Sequence, residues 1–418
     1  MPWNIRNSFS AFKHRNFRLF VGGQFISLIG FWMENVGQRW LVYRLTHDSW
    51  YLGAISFCQQ IPILIFAFAA GGIIDRSNRR KTIILTQSLA LVQSSILFWL
   101  TFTGLIHISQ LFILAGFIGM VSAFDMPARQ SFLIQMVGKE DLTNAIAVNS
   151  SMFNAARMVG PALAGIVIAR WGESLCFFLN AVSFLAVLIS LFLMKINHVK
   201  ETAKKQSLSK DLAEGLRYIR ETRPIRVLLQ TVGMLGLGGF PFIVLMPLFA
   251  DQIFHRGASG FGILTTATGI GALCGALFLA GRRGLKGIGK IISISAFGFS
   301  CSLILFGVSP FFWLSFAALC AAGVFMMTSV ASINTAIQSM IPDVLRGRVM
   351  SLFTTMLIGT APIGALLAGI LAKYFGARIT VVCMAFLCLS AAFWFFRSLP
   401  HITTEARRLY LLQNPTPT

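Results

Sequence analysis

The sequence predicts an all-α polytopic membrane protein with twelve transmembrane helices in two pseudo-symmetric six-helix bundles. Three observations carry that expectation. Hydrophobic residues are 56% of the 418 and charged residues only 12%, about half the charged share of a soluble domain, so a water-soluble fold is excluded. The chain also divides into twelve apolar runs of about 20 residues or more, the length that crosses a hydrocarbon core. Finally, its basic residues gather in alternate connections, as an orientation signal does.

The runs lie near 19–43, 50–74, 82–104, 109–129, 145–169, 174–195, 226–251, 259–281, 288–309, 311–341, 348–372 and 377–398. Each is read as a helix because backbone groups in lipid must be satisfied within their own segment, and a Leu/Phe-rich composition does not suggest barrel strands. The first run follows Arg6, Lys13, Arg15 and Arg18 directly. It is too long for the apolar core of a cleaved signal peptide and is expected to remain as a helix.

One connection is long. From about Ile196 to Arg226 it carries Lys200, Lys204, Lys205, Lys210, Arg217, Arg220, Arg223 and Arg226, and Leu212, Leu216 and Ile219 recur at helical spacing within 209–220. This pattern predicts an amphipathic helix lying on the membrane surface. The expected organisation is a first bundle over 1–195, a cytoplasmic linker over 196–225, a second bundle over 226–398 and a cytoplasmic tail over 399–418.

With a cytoplasmic N-terminus and alternating spans, 28 of the 35 Lys and Arg residues fall on the cytoplasmic side, five fall in outer loops, and Arg39 and Arg157 lie inside spans. Both termini are therefore expected in the cytoplasm. The formal charge of +21 writes topology and anchors the chain to anionic lipid, and is not a nucleic-acid footprint. All seven cysteines fall in predicted spans, as small packing residues do. The six histidines lie in loops and tails without the spacing of a metal site.

The halves repeat. Leu163-Ala164-Gly165-Ile166 with Gly172 is matched by Leu367-Ala368-Gly369-Ile370 with Gly376 at a constant offset of 204. Gly53 and Gly71 precede Gly262 and Gly281 by 209 and 210 residues. Two homologous six-helix halves in parallel repeat form a transporter architecture, with the substrate site expected between them near the midplane.

The strongest local motif is Gly71-Gly72-Ile73-Ile74-Asp75-Arg76-Ser77-Asn78-Arg79-Arg80-Lys81, between spans 2 and 3. Gly71 permits close helix approach, Asp75 accepts charge-assisted bonds, and the basic run holds the loop at the headgroups. An ordinary positive loop would explain the basic residues but not an acid four positions after glycine. This segment resembles the loop between helices 2 and 3 of the major facilitator superfamily, G-x-x-x-D-R-x-G-R-R-K, at Gly71, Asp75, Arg76, Arg79, Arg80 and Lys81. It departs at Asn78, where the pattern has Gly; Asn tolerates the left-handed conformation a glycine would supply.

Gly160-Pro161-Ala162-Leu163-Ala164-Gly165 in span 5 is similar to the G-x-x-x-G-P-x-x-G-G element of that superfamily's drug:proton antiporters, with Ala156 in place of the first glycine. It reads equally as a proline kink with small-residue packing. Gly30-Phe31-Trp32-Met33, Trp40-Leu41-Val42-Tyr43-Arg44-Leu45-Thr46 and Asp125-Met126-Pro127-Ala128-Arg129-Gln130 resemble the exporter subgroup of enterobactin exporters and macrolide efflux proteins. The resemblance covers the whole chain. It implies that the loop acid Asp75 latches onto Arg129 and the start of a second-half helix near Gly347.

Buried charge supplies the remaining candidates. Glu34 and Arg157 sit near the centres of spans 1 and 5, where a charged residue costs about 2.5–3.5 kcal/mol on the insertion scale, so both are expected to face a cavity or one another. Glu34 reads either as a protonatable carboxylate tuned by Arg157 or as half of a permanent structural pair. Asp125, Gln38 and Asn154 complete the candidates for proton coupling and the substrate cavity.

Gly284-x4-Gly289-Lys290 imitates a phosphate loop but is followed by Ile291 and joins two spans, and neither G-x-S-x-G nor H-E-x-x-H occurs. The expectation is therefore a monomeric secondary transporter of the bacterial inner or plasma membrane and not an enzyme. It needs no cofactor, metal, nucleotide or nucleic acid, contacts membrane lipids, and exports an amphipathic small molecule, drug- or siderophore-like, against a proton gradient. An importer of a nutrient or lipid-like solute and a non-transporting membrane sensor are the alternatives.

Overall fold

The computed structural model describes residues 7–74, 77–195, 208–282 and 287–413. A 3₁₀ helix, Asn7–Lys13, leads into α1 (Arg15–Thr46), followed by α2 (Ser49–Ile74), α3 (Arg79–Phe102), α4 (Ile108–Val137), α5 (Leu142–Trp171) and α6 (Ser174–Leu193). After the linker come α7 (Leu208–Glu221), α8 (Arg223–Gly239), α9 (Phe242–Leu248), a π-helical turn over Phe249–Ile253, α10 (Gly257–Ala280), α11 (Ile288–Val308), α12 (Phe312–Met340), α13 (Asp343–Ile358) and α14 (Thr360–Gln413). No strand occurs among the described residues.

Eleven apolar stretches among the described residues are long enough to cross a membrane. The last, Leu345–Gln413, holds both of the final expected spans. The division falls inside α14 at Gly376, whose φ of 80° and ψ of 161° interrupt the helix. The seventh expected span is not one helix either. Pro241 follows α8 and lacks the N–H that would continue its ladder, and Pro247 precedes the π-helical turn. Residues 399–413, expected as a tail, continue the last helix through Pro400.

Two compact units form. One comprises Met1–His47, Ile55–Ala203 and Arg256–Thr266; the other comprises Asp48–Ala54, Lys204–His255 and Ala267–Thr418. In the first, α1 packs on α5 and α6, and α3 packs on α4 and α6. In the second, α14 packs on α8 and α11, and α11 packs on α12.

The repeat read from sequence is a repeat of contacts. In the first unit Gly165 of α5 meets Gly262 of α10 so closely that a Cβ on Gly262 would stand 2.6 Å from the Gly165 Cα. In the second unit Gly369 of α14 meets Gly53 of α2, and a Cβ on Gly369 would stand 2.9 Å from the Gly53 Cα. The four glycines are the members of the two sequence offsets. Gly172 and Gly376, the third offset pair, share one backbone conformation, with φ of 82° and 80°. Lipid offers no hydrophobic drive between helices, so such contacts gain their energy from close backbone approach.

The amphipathic helix α7 is not simply laid on a membrane surface. Glu214 pairs with Arg348 of α13, and Gly215 is buried against Arg348 and Leu352. Leu216 remains 46% exposed.

An unexpected strap closes one end of the first unit. The Ala11 N–H donates to Asn144 Oδ1 (3.0 Å), and Asn16 Nδ2 donates to the Lys195 carbonyl (2.8 Å). Lys13 Nζ and His14 Nε2 lie 2.7 and 2.8 Å from Asp141 Oδ2. Beneath them Ala11, Phe17 and Phe20 are buried with Phe132, Leu133, Met136, Ala145 and Leu191. Hydrogen bonds from Lys13, Ser10 and His14 hold the Asp141 carboxyl well below the usual carboxylate range, and the bond to Asp141 raises the Lys13 ammonium above its ordinary value. A depressed acid stabilises above its unfolded pKa and loses that contribution as pH falls, while a raised base loses it as pH climbs. The contact is therefore complete between about pH 5 and pH 10.

Two outcomes are expected. Gly262→Val and Gly369→Val lower the stability of the detergent-purified chain by about 1–3 kcal/mol through overpacking, read as a fall in melting midpoint. Gly116→Val, at a site in α4 where a Cβ meets nothing within 4 Å, leaves it unchanged; equal effects at all three sites refute the close-contact account. Asp141→Asn releases the strap and speeds tryptic cleavage after Lys13 several-fold at pH 7, whereas an unaltered cleavage rate refutes the docking role.

Candidate functional site

Helix α1 supplies the polar centre. Glu34 is 6% exposed and turns toward α3 and α6. Its Oε2 accepts from Asn180 Nδ2 at 2.6 Å and from the Ser94 hydroxyl, and Asn180 Nδ2 also reaches Ser94 Oγ at 3.1 Å. Ser183 Oγ donates to the Asn180 carbonyl at 2.7 Å, fixing the turn that presents the amide. Ser94 and Asn180 are 0% and 1% exposed. Among the described residues no cation joins this group, so a single buried carboxylate is held by neutral donors alone.

The expected ion pair between Glu34 and Arg157 is not formed. Two residues of helix turn the chain by about 200°, which sends Glu34 and Trp32 to opposite sides of α1. Arg157 goes to the Trp32 side, its Cζ 5.9 Å from the indole centroid. Phe153, one turn earlier on α5, meets the same indole edge-to-face at 5.7 Å. Gly160 brings α5 onto Trp32, where a Cβ would stand 2.5 Å from the Trp32 Cβ; Pro161 lies inside α5 beside it, and both are buried. A cation over an aromatic ring contributes about 0.5–2 kcal/mol, less than the about 2.5–3.5 kcal/mol that a mid-span arginine costs. The indole alone does not compensate the guanidinium.

Asp125 forms a second polar group. Buried at 8% exposure, it accepts from Thr86 Oγ1 (2.7 Å) and Gln87 Nε2 (2.9 Å) of α3. Arg129 Nε approaches its Oδ2 to 2.6 Å as an ion pair one turn along α4, at an angle outside hydrogen-bond geometry. Arg129, expected to meet Asp75, is thus engaged by Asp125; Asp75 and Arg76 lie outside the described residues.

The rest of the basic motif packs within the first unit. Arg79 donates to the Ser131 carbonyl of α4 (3.4 Å), and Arg80 donates to the Leu191 carbonyl of α6 through Nε (3.0 Å) and Nη2 (2.6 Å). Asn78 does not take the left-handed conformation. It is extended, with φ of −75° and ψ of 102°, and its side chain caps α3 by accepting the Lys81 N–H at 3.2 Å. Gly71 falls in the last turn of α2.

Gln38 is 4% exposed with its Nε2 unpartnered. Asn154 spends its amide on the Ser150 carbonyl of its own helix at 2.9 Å. Sequence reasoning missed Ser94 and Asn180, the two residues that define the Glu34 site. A buried asparagine in an otherwise apolar sixth span was the available signal. Among the described residues no group of three His, Cys, Asp or Glu side chains is arranged to hold a metal, and the seven cysteines are free.

Comparison with known proteins gives this geometry its family. A chain 28% identical over 90% of this one and 95% of its own length is the staphyloferrin A transporter of Staphylococcus aureus (strain NCTC 8325 / PS 47). The multidrug efflux pump Tap of Mycolicibacterium fortuitum is 24% identical over 84% of this chain and 87% of its own. The enterobactin exporter EntS of Escherichia coli O1:K1 / APEC is 23% identical over 89% and 88%. Among solved structures, a bacterial homolog of the human lysosomal transporter Spinster superposes with a TM-score of 0.71 at 14% identity, covering 96% of this chain and 99% of that one. A POT family transporter superposes with a TM-score of 0.72 at 12% identity, covering 93% and 97%. The model of the transmembrane secretion effector family matches residues 6–415, nearly the whole chain, and the protein therefore belongs to that family of major facilitator superfamily transporters.

Proposed function

We propose that this protein is a proton-coupled exporter of an amphipathic small molecule, drug- or siderophore-like, working by alternating access in a bacterial inner or plasma membrane with both termini in the cytoplasm. The single observation that carries the proton coupling is Glu34, a mid-span carboxylate with neutral partners only. A buried acid without a counter-cation changes its environment, and so its proton affinity, whenever α3 or α6 shifts against α1. The outward direction is supported by the relatives named as an efflux pump and an enterobactin exporter. The basic residues argue for the orientation by their asymmetry.

In this reading Gly71, Asp75, Arg76, Arg79, Arg80, Lys81 and Arg129 form the conformational latch. The bonds of Arg79 and Arg80 to the backbones of α4 and α6 support it. Asp125 is the second coupling candidate, tied to the same end of α4 through Arg129. Gly160, Pro161 and Gly165 give α5 its close packing. The energy comes from the ion gradient, with no cofactor.

The test is flux in inverted vesicles under an imposed pH gradient. Substrate accumulates inside inverted vesicles carrying the wild type, Glu34→Gln abolishes the pH-driven component, and Asn180→Ala reduces it about tenfold or more by loosening a charge-assisted bond. Full proton-driven flux in Glu34→Gln removes Glu34 from the mechanism. Accumulation only in right-side-out vesicles makes the protein an importer.

A further inference from the structure

The face of α1 opposite Glu34 has a chemistry of its own. Trp32 and Arg39 are seven residues apart, two helical turns, and so share that face about 10 Å from one another along the axis. Arg157 of α5 lies over the Trp32 ring, and Phe153 flanks it. Both guanidiniums are half-buried inside membrane spans. Among the described residues neither has a carboxylate or a hydrogen-bond partner. The Trp32 Nε1–H is buried and lacks an acceptor.

Every unsatisfied group named here is a donor, and arginine and indole have no acceptor to offer. The acids that could neutralise the arginines are committed elsewhere. Glu34 is turned to Ser94 and Asn180, Asp125 is engaged by Arg129, and Glu173 by Arg44 near the end of the span. What remains is a positive, donor-only surface beside an indole and a phenyl ring.

On the reading of this protein as an exporter, we infer that Arg157, Arg39 and Trp32 form a subsite for a carboxylate-bearing anion whose aromatic or apolar body rests against Trp32 and Phe153. A carboxylate accepts two parallel N–H bonds from a planar guanidinium, which a lysine cannot reproduce. The indole N–H supplies a third donor. A cationic amphiphile meets two uncompensated like charges on this face and is rejected by it.

Three probes of one ring system decide the point: 4-(1-pyrenyl)butyrate, the corresponding alcohol and the corresponding amine. Each is titrated against the full-length chain in nanodiscs of zwitterionic lipid, with energy transfer from tryptophan as the signal. The wild type binds the carboxylate about tenfold or more tightly than the alcohol and binds the amine weakest. Arg157→Gln brings carboxylate and alcohol within about twofold of each other, while Arg157→Lys keeps part of the preference. Arg39→Gln, which leaves the α1–α5 contact at Trp32 untouched, lowers the preference independently and serves if Arg157→Gln fails to elute as a folded monodisperse protein. Equal binding of all three probes by the wild type, a preference for the amine, or an undiminished carboxylate preference in Arg39→Gln and folded Arg157→Gln overturns the inference. Vesicle flux separates it from the export reading. A carboxylate preference without outward flux retains the subsite and removes the exporter, whereas outward flux of the amine that is indifferent to Arg157→Gln retains the exporter and removes the subsite.

Discussion

Hydrocarbon cannot hydrogen-bond a peptide group, and the rest of this structure depends on that constraint. It forces the chain into helices and makes any interruption visible as a proline or a glycine. It also removes the hydrophobic drive that would hold helices together in water, so cohesion passes to contacts between small residues. The backbone approaches at Gly165–Gly262 and Gly53–Gly369 are where this substitution is most evident. The same solvent makes every uncompensated polar atom expensive, and the few mid-span charges become informative because so few are tolerated.

The helices were legible because apolar run length is a one-dimensional signal, as was the repeat, because glycines that must touch cannot drift. The breaks within spans were less so. Pro241, Pro247 and Gly376 were visible as residues, but whether such a residue kinks or divides a helix depends on what packs beside it. The candidate site was half legible. Glu34 and Arg157 stood out as charges in lipid-length runs, yet their pairing was misjudged, because two charges at similar depth look like partners until their helical phases are compared. Ser94 and Asn180 escaped notice since serine and asparagine are common helix-packing residues and only three-dimensional convergence singles them out. The strap escaped for a similar reason, its partners Lys13, His14 and Asp141 being more than a hundred residues apart.

The two halves share their packing code but not their polar chemistry. Gly30 packs on Asn180 and Ser183, and Gly238 packs on Met384 and Leu387; the two glycines are 208 residues apart, and their partners are related by the offset of 204 that links Gly165 to Gly369. Four residues after Gly30 stands Glu34; four residues after Gly238 stands Phe242, buried edge-to-face on Phe306. The carboxylate and its amide donor in the first unit are thus replaced by a phenyl ring and a thioether in the second. The glycine contacts are common to both units because helix approach is a requirement of each.

The N-terminal strap also bears on how the chain is made. Its residues are made well before the groups that receive them, Asp141, Asn144 and Lys195, which lie beyond four and then six spans. Ala11, Phe17 and Phe20 therefore wait without their final packing partners while α1 to α6 are threaded into the bilayer. The strap can close only once the start of α5 and the end of α6 are in place, so it ties the N-terminal segment to the far end of the six-helix run.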